Sequence, residues 1–333
     1  MDIEMLRERA RIIRQVRAFF DQRDYLETDT PLLAPSLIPE SCLEVFQTSR
    51  LQPAGSRKPP QPYWLIPSPE VWMKRLLAQH QTSLYQICKC FRNGESSGRQ
   101  HSPEFTMLEY YTVQADYSDS LELTEELFAF LLKNETVGHS SGGALSPPFI
   151  RMTVAEAFQT WAGFDLYRAA AEEGALEEQA RRLGLNPPPG LSVHELYDII
   201  FVHAVEPMIN LDRPVALLDY PAFVPCLAKK SGGGNADSGE TVERWELYAR
   251  GLELANCFSE ETDAQAVCRF FESEKSAKET SAIVPHAVDD DYWKIFAGKS
   301  FPQCSGVAMG LDRLIMLLCG RKTVDGVLPF PME

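Results

Sequence analysis

In the first stretch of the chain, the apolar residues Ile3, Leu6, Ala10, Ile13, Val16 and Phe20 recur at steps of three and four. This repeat lines one face of an α-helix and predicts an amphipathic helix over residues 2–23, ending near Asp24. Residues 26–33, with Pro31 near the end, read as an extended segment, and Pro59-Pro60 among Gly, Ser and Lys marks an exposed connection. Strand-like runs follow at 63–66, 84–92 and 105–113, around a helix over 69–79. Ser140-Ser141-Gly142-Gly143 reads as a linker into a helical segment over 154–208, which Pro187-Pro188-Pro189-Gly190 interrupts. A short apolar strand at 215–218, a Gly/Ser/Asn loop at 229–239, a hairpin within 245–258 and a final strand and helix over 305–319 complete the pattern. No internal repeat is evident.

Composition narrows the functional classes. A chain of 333 residues, 44% of them hydrophobic, can bury a core the size of one large domain or two small ones. Against 32 basic residues stand 47 acidic ones, a net charge of -15 that repels a polyphosphate backbone and disfavours extended tRNA contact. The N-terminus mixes Asp2, Glu4, Arg7, Glu8 and Arg9 without the apolar stretch of a secretion signal. No segment approaches the roughly 18 apolar residues that cross a bilayer, so no membrane association is expected. Eight cysteines without CxxC spacing, in a chain too large to need disulfide staples, predict a reducing cytoplasm and no zinc site.

Four constellations have chemical potential. On a strand over 105–113 the period of two puts Phe105, Met107, Glu109 and Tyr111 on one face. That set suits an adenine ring and an ammonium, or else forms a half-buried strand with one solvated acid. Upstream, Phe91-Arg92-Asn93 leads into a polar loop, residues 94–100, with Glu95 and Arg99 before His101. Guanidinium groups there fit a phosphate clamp, since they bind phosphate oxygens in pairs, although an ordinary exposed hairpin would look similar. If a hairpin turns at Ala249-Arg250, Glu246 and Glu253 face each other directly. Like charges so placed repel, and a divalent cation such as Mg²⁺ would relieve them; another register would leave both in water. Finally, Gly306-Val307-Ala308-Met309-Gly310-Leu311-Asp312-Arg313 runs from an apolar strand into a helix over 314–318, with glycines that permit close backbone approach. It lacks the GxGxxG spacing of a dinucleotide site.

In this order the pieces resemble the three signature motifs of class II aminoacyl-tRNA synthetases. Residues 26–33 resemble motif 1, the dimer-forming element; Phe91-Arg92-Asn93 through Glu109 resembles motif 2; Gly306 to Arg313 resembles motif 3. Ser68-Pro69-Glu70, the run from His101 to Glu109, and Glu253-Leu254-Ala255-Asn256-Cys257-Phe258-Ser259-Glu260 are similar to lysyl-tRNA synthetase. The likeness extends over residues 6–330 but starts at the catalytic domain, so no anticodon-binding domain is expected. With residues 221–228 and Cys304-Ser305-Gly306-Val307-Ala308, the chain resembles the elongation factor P lysine ligase family, which joins lysine, preferably (R)-β-lysine, to a lysine side chain of elongation factor P.

The resemblance implies an α+β class II synthetase fold, an antiparallel sheet flanked by helices, as a single catalytic domain over 1–333 with a helical insertion at about 154–208. It also implies ATP and Mg²⁺ as cofactors, elongation factor P and lysine or (R)-β-lysine as partners, and a homodimer. Arg92 and Arg313 would be the catalytic residues. Arg92 would hold the amino-acid carboxylate and α-phosphate, Arg99 the γ-phosphate, and Phe105 and Arg313 would sandwich the adenine, with Glu95 and His101 also on ATP. Glu70, next to Ser68, would take the backbone amine; Glu109, Tyr111, Asn256 and Glu260 would receive the side-chain ammonium, with Phe258 beside them, and Glu246 and Glu253 would hold Mg²⁺. Ala308 stands where the synthetase has Gly and the ligase family Ala. Three positions depart from the synthetase pattern: Gly94 is interposed in Arg-Asn-Glu, Cys257 replaces a Gly, and Ser102 replaces an Asn. A truncated lysyl-tRNA synthetase, a free amino acid ligase and a non-catalytic regulatory paralogue are the competing expectations.

Overall fold

The structure, a computed structural model, describes residues 3–94, 98–133, 145–209, 212–232, 239–298 and 301–331. The predicted linker at Ser140 to Gly143, most of the loop at 229–239 and Glu95 lie outside the described residues.

In chain order the main elements are α1 (Ile3–Asp21), β1 (Leu26–Glu27), β2 (Leu33–Ala34), β3 (Gln47–Arg50), β4 (Gln61–Leu65), α2 (Glu70–His80), β5 (Leu84–Phe91) and β6 (Glu104–Val113). They continue with α3 (Tyr117–Lys133), β7 (Ile150–Thr153), α4 (Val154–Ala157), α5 (Leu166–Ala171), α6 (Ala175–Arg182), α7 (Val193–Ile200), β8 (Val215–Pro221), β9 (Thr241–Ala249) and β10 (Leu252–Ser259). The last are α8 (Ala264–Ser281), β11 (Cys304–Gly310) and α9 (Leu311–Leu318). The chain forms two compact units, one from Met1–Gln114 with Glu261–Glu333, the other from Ala115–Glu260.

In the first unit the strand order is β1-β5-β6-β11, with a small separate sheet β2-β4-β3. β1 runs parallel to β5, and the other pairs are antiparallel. Register decides what each face of β5 and β6 meets. Tyr85 pairs with Tyr110, and the Phe20 ring of α1 packs on both at 4.8 and 4.9 Å. The alternate face, through Gln86 and Glu109, is left for chemistry. α1 forms where the spacing predicts it, but its buried stripe is Met5, Ile12, Val16, Phe19 and Phe20 with Arg9; of the predicted apolar positions Val16 and Phe20 are buried, Ile13 is half-buried, and Ile3, Leu6 and Ala10 are exposed. Arg9 pairs with the buried Asp312 at 2.6 Å and donates to Thr106 Oγ1 at 2.8 Å, while the Thr106 amide donates to Asp312 at 2.7 Å. A buried charge keeps its place only when paired in this way, so α1, β6 and α9 are held in one arrangement.

In the second unit the order is β10-β9-β8-β7, with β7 parallel to β8 and the remaining pairs antiparallel. The helices between Val154 and Met208 pack their apolar faces on this sheet: Phe158, Tyr197 and Phe201 stack on one another and share a core with Leu217, Tyr220 and Tyr248. Two of these helices start with capping boxes, Thr153 with Glu156 and Ser192 with Glu195, which satisfy the free amides of the first turn. α3 buries Leu121, Leu127, Phe128 and Leu131, and its first residue accepts the Trp245 indole N–H at 2.6 Å.

The α+β class with largely antiparallel sheets flanked by helices agrees with expectation. α3 and α8 are additions to the predicted elements, and the last helix begins at Leu311 with Gly310 as its cap rather than at residue 314, which places Arg313 in its first turn. Among the described residues no helix is long and apolar enough to cross a membrane.

Candidate active site

The first unit carries the nucleotide-type residues. β5 ends at Phe91, and the Arg92 amide donates to the Pro103 carbonyl at 3.0 Å, which turns the guanidinium over the Phe105 ring at 5.3 Å. Its Nε is buried and has no hydrogen-bond partner among the described residues. Buried donors are nearly always paired, and this one has hydrogen-bonding capacity to spare. Past Arg92, Asn93 is pinned by its amide to Glu44 O at 2.9 Å and by its Nδ2 to Val45 O at 3.2 Å. Gly94 follows with φ +72°, a left-handed backbone that glycine adopts without cost; the interposed glycine is therefore a turn residue. Arg99 and His101 are exposed on the loop beyond. The Arg313 Nε donates to Gln100 O at 3.1 Å, and Val324 N to Arg99 O at 2.9 Å. Arg92 with Phe105, and Arg313 with the loop of Arg99, are thus two contacts at the end of β6.

Further along the same face of β6 stands a buried acid. Glu109 is 2% exposed; Tyr111 OH donates to one carboxylate oxygen at 2.8 Å and Ser68 Oγ to the other at 2.6 Å. Burial, and next the neighbouring Glu70, push its pKa up to about 8. Ala308 and Gly306 of β11 sit opposite Glu109 and Tyr111, and antiparallel partners share a face, so the neighbours that β11 sets beside the carboxylate are small. Glu70 opens α2, where its amide donates to Ser68 Oγ at 3.0 Å and its carboxylate is ion-paired with the fully buried Lys74. Lys74 was not anticipated as a site residue; its only sequence signal is the spacing of four from Glu70 on a helix.

The second unit corrects the hairpin. Arg250 and Gly251 have φ values of 51° and 73° and form the turn, so Ala249 pairs with Leu252 and Tyr248 with Glu253. Two left-handed central residues match the strand twist, and Gly251 is the residue best suited to supply one. A bulge at Leu254 then shifts the register, and Glu246 faces Asn256. Glu246 and Glu253 are therefore not directly opposite, as the turn at Ala249-Arg250 would require, but are diagonal neighbours on one face. The bulge has a second effect. Glu253 and Asn256, an odd number of residues apart, would point to opposite faces of a regular strand; here Glu253, Asn256 and Phe258 share the face of Tyr248, Glu246 and Arg244.

Glu246 accepts from Tyr248 OH at 2.7 Å and pairs with Arg244 at 2.5 Å. Burial works against the Arg244 charge, but Glu246 holds its pKa above the ordinary arginine value. Arg244 was not anticipated either, and its signal is the spacing of two on a strand. Two carboxylates are the hard oxygen donors that Mg²⁺ uses, and the Asn256 Oδ1 across from Glu246 is buried without a hydrogen-bond partner among the described residues. The donor set fits such an ion. Cys257 pairs with Trp245 and is wholly buried on the other face, with φ outside the left-handed range, so this departure does not alter the face of Glu253 and Asn256. Glu260, one residue past β10, is 2% exposed.

The family of class II tRNA synthetases (D, K and N) matches residues 3–333. Among curated relatives, the "Elongation factor P--(R)-beta-lysine ligase" of Avibacterium paragallinarum is 35% identical, with 99% of this chain and 96% of the relative covered. Proteins of the same name from Vibrio vulnificus (strain YJ016) and Haemophilus influenzae (strain PittGG) are 36% and 32% identical over 99% and 100% of this chain and 96% of theirs. The chain belongs to the class II synthetase family, in the group formed by these ligases.

Proposed function

We propose that this protein activates lysine or (R)-β-lysine with ATP as an acyl-adenylate and transfers the acyl group to a lysine side chain of elongation factor P. The observation that supports this best is the shared face of β6: a buried acid fit for an ammonium, Glu109, stands on the same strand as Phe105, over which Arg92 lies with an unsatisfied donor. A nucleotide-only site would have no use for the acid, and an amine-only site no use for the arginine.

In the first step the substrate carboxylate attacks the α-phosphorus in line and pyrophosphate leaves. Arg92 neutralises the charge gathering between carboxylate and phosphate, Arg99 and His101 meet the outer phosphates, and Phe105 and Arg313 hold the adenine. The work is positioning and charge compensation. Ser68, Glu109 and Tyr111 take the side-chain ammonium, and Glu70, steadied by Lys74, takes the backbone amine. In the second step the acceptor's ε-amine attacks the activated carbonyl and AMP leaves. Bound at Glu246 and Glu253, Mg²⁺ would offset phosphate charge. An acidic protein attracts a basic patch around an acceptor lysine and repels a tRNA stem. Exposed Ile3, Leu6, Leu26 and Leu33 support a homodimer, and the chemistry supports a cytoplasmic setting.

Three measurements test this. ATP–pyrophosphate exchange should occur with lysine and (R)-β-lysine, followed by transfer to elongation factor P and not to tRNA; exchange with transfer to tRNA alone would favour a truncated synthetase, and no exchange with any amino acid a regulatory paralogue. Ala308→Gly removes one methyl opposite Glu109 and should shift preference toward α-lysine by about tenfold, since a methyl in such a pocket is worth about 1 to 3 kcal/mol; an unchanged ratio would remove Ala308 from selectivity. Glu253→Gln should raise the Mg²⁺ concentration that exchange requires by about tenfold or more, as loss of a carboxylate ligand does, and a superimposable Mg²⁺ titration would remove the metal assignment.

A further inference from the structure

A third acid lies close to the proposed amine site, in a segment where no pattern in the sequence marks it. Glu40 is in the coil between β2 and β3, and it lines one small cavity with Leu37, Ile38, Pro67, Ser68, Glu70 and Val71. Ser68 and Glu70 are the residues already placed at the backbone amine, so two carboxylates, Glu40 and Glu70, form walls of the same space.

The coil is fixed from behind. On α8 the half-buried Lys278 ammonium donates to the carbonyls of Glu40, at 2.8 Å, and Leu43, at 2.5 Å, and the Glu274 carboxylate accepts the Ser41 amide at 2.8 Å. Ile283 and Val284 amides bind Glu44 at 2.9 and 3.0 Å. Five hydrogen bonds to residues 40–44 therefore hold the Glu40 backbone in position, as a rigid wall requires.

The charges around Glu40 do not account for an acid there. Lys74 is committed to Glu70 and Lys278 to backbone carbonyls, and Arg92 is the remaining cation that acts on it. Burial and then Glu70 push the Glu40 carboxyl up to about 7, the behaviour of an acid short of positive charge. An ammonium carries three donors. One Glu70 oxygen is already taken by Lys74, so a second carboxylate on another wall completes its coordination and fixes its direction.

We propose that Glu40 is a specificity-determining residue: with Glu70 it flanks the backbone amine of the substrate, so that the enzyme takes diamino acids with an amine on C2 or C3 and rejects an otherwise similar acid that lacks one. This rests on the adenylation reading given above. The test measures exchange kinetics and calorimetric binding with lysine, 3,6-diaminohexanoate and 6-aminohexanoate on the wild type, Glu40→Gln and Glu40→Asp. Gln keeps the shape of the wall and removes its charge. Glu40→Gln should raise KM and Kd for both diamino acids at least tenfold, leave KM for ATP and all constants for 6-aminohexanoate within twofold, and be partly rescued in Glu40→Asp. Unchanged diamino acid constants, or an equal loss with 6-aminohexanoate, would overturn the assignment while leaving adenylation intact. A wild type that binds none of the three acids would overturn both.

Discussion

Arg92→Ala should lower kcat/KM for ATP–pyrophosphate exchange by about a thousandfold, roughly 4 kcal/mol of transition-state stabilisation. The reason is geometric. The guanidinium is held at the end of β5 by the Arg92–Pro103 backbone bond, lies over Phe105, and keeps a buried Nε without a partner. A group so placed is organised before the ligand arrives, and such preorganised charge contributes more than the same charge brought in from water. Arg92→Lys should restore little, because an ammonium provides a point charge in place of a planar fork. Since the side chain is not part of the Arg9–Asp312 network that ties the helices to β6, the melting temperature of Arg92→Ala should stay within a few degrees of wild type. Loss of exchange together with loss of fold would mean that Arg92 is structural.

Glu109→Gln should weaken lysine binding by about a hundredfold, because removing one partner of a buried charge pair costs about 2 to 5 kcal/mol. This position also carries a proton signature. In the folded protein its carboxyl is raised from 4.5 to about 8, first by burial and then by Glu70. The fold thus binds this proton more tightly than the unfolded chain does. The group's contribution to stability is complete below about 4.5 and is lost as pH rises toward about 8. A lysine ammonium reverses the balance by favouring the ionised form, so binding below pH 8 should release a proton from Glu109 and tighten as pH rises toward that value. Calorimetry in buffers of different ionisation enthalpy measures the release. In Glu109→Gln most of it should vanish, and the unliganded variant should lose less stability than wild type between pH 5 and 8. Equal release from wild type and variant would place the ammonium elsewhere.

Several features were legible along the chain because they are local. The steps of three and four from Ile3 to Phe20 are α1, and the period of two over 105–113 is the face on which Phe105, Met107, Glu109 and Tyr111 align. α3 was missed, although the same rule marks it: Leu121, Leu127, Phe128 and Leu131 recur at helical spacing. α8 was less legible: its buried residues are Val267, Phe271 and Lys278, a stripe too sparse to mark a helix against its many charges.

By itself, then, the sequence determined many of the elements, the face of β6 and the order of the motif residues, because backbone periodicity and residue type are properties of short segments. The tertiary structure decided the rest. Whether Glu246 meets Glu253 or Asn256 depends on a turn at Arg250-Gly251 and a bulge at Leu254, and one residue of slip changes every cross-strand partner. Whether Glu109 is an ordinary carboxylate or one that keeps its proton to about 8 depends on burial and on Glu70, 39 residues earlier in the chain. Glu40 faces the same cavity as Glu70 because α8, more than 200 residues later, holds its coil in place. Register, burial and charge pairing are relations between distant segments, and they acquire values only when the chain has folded.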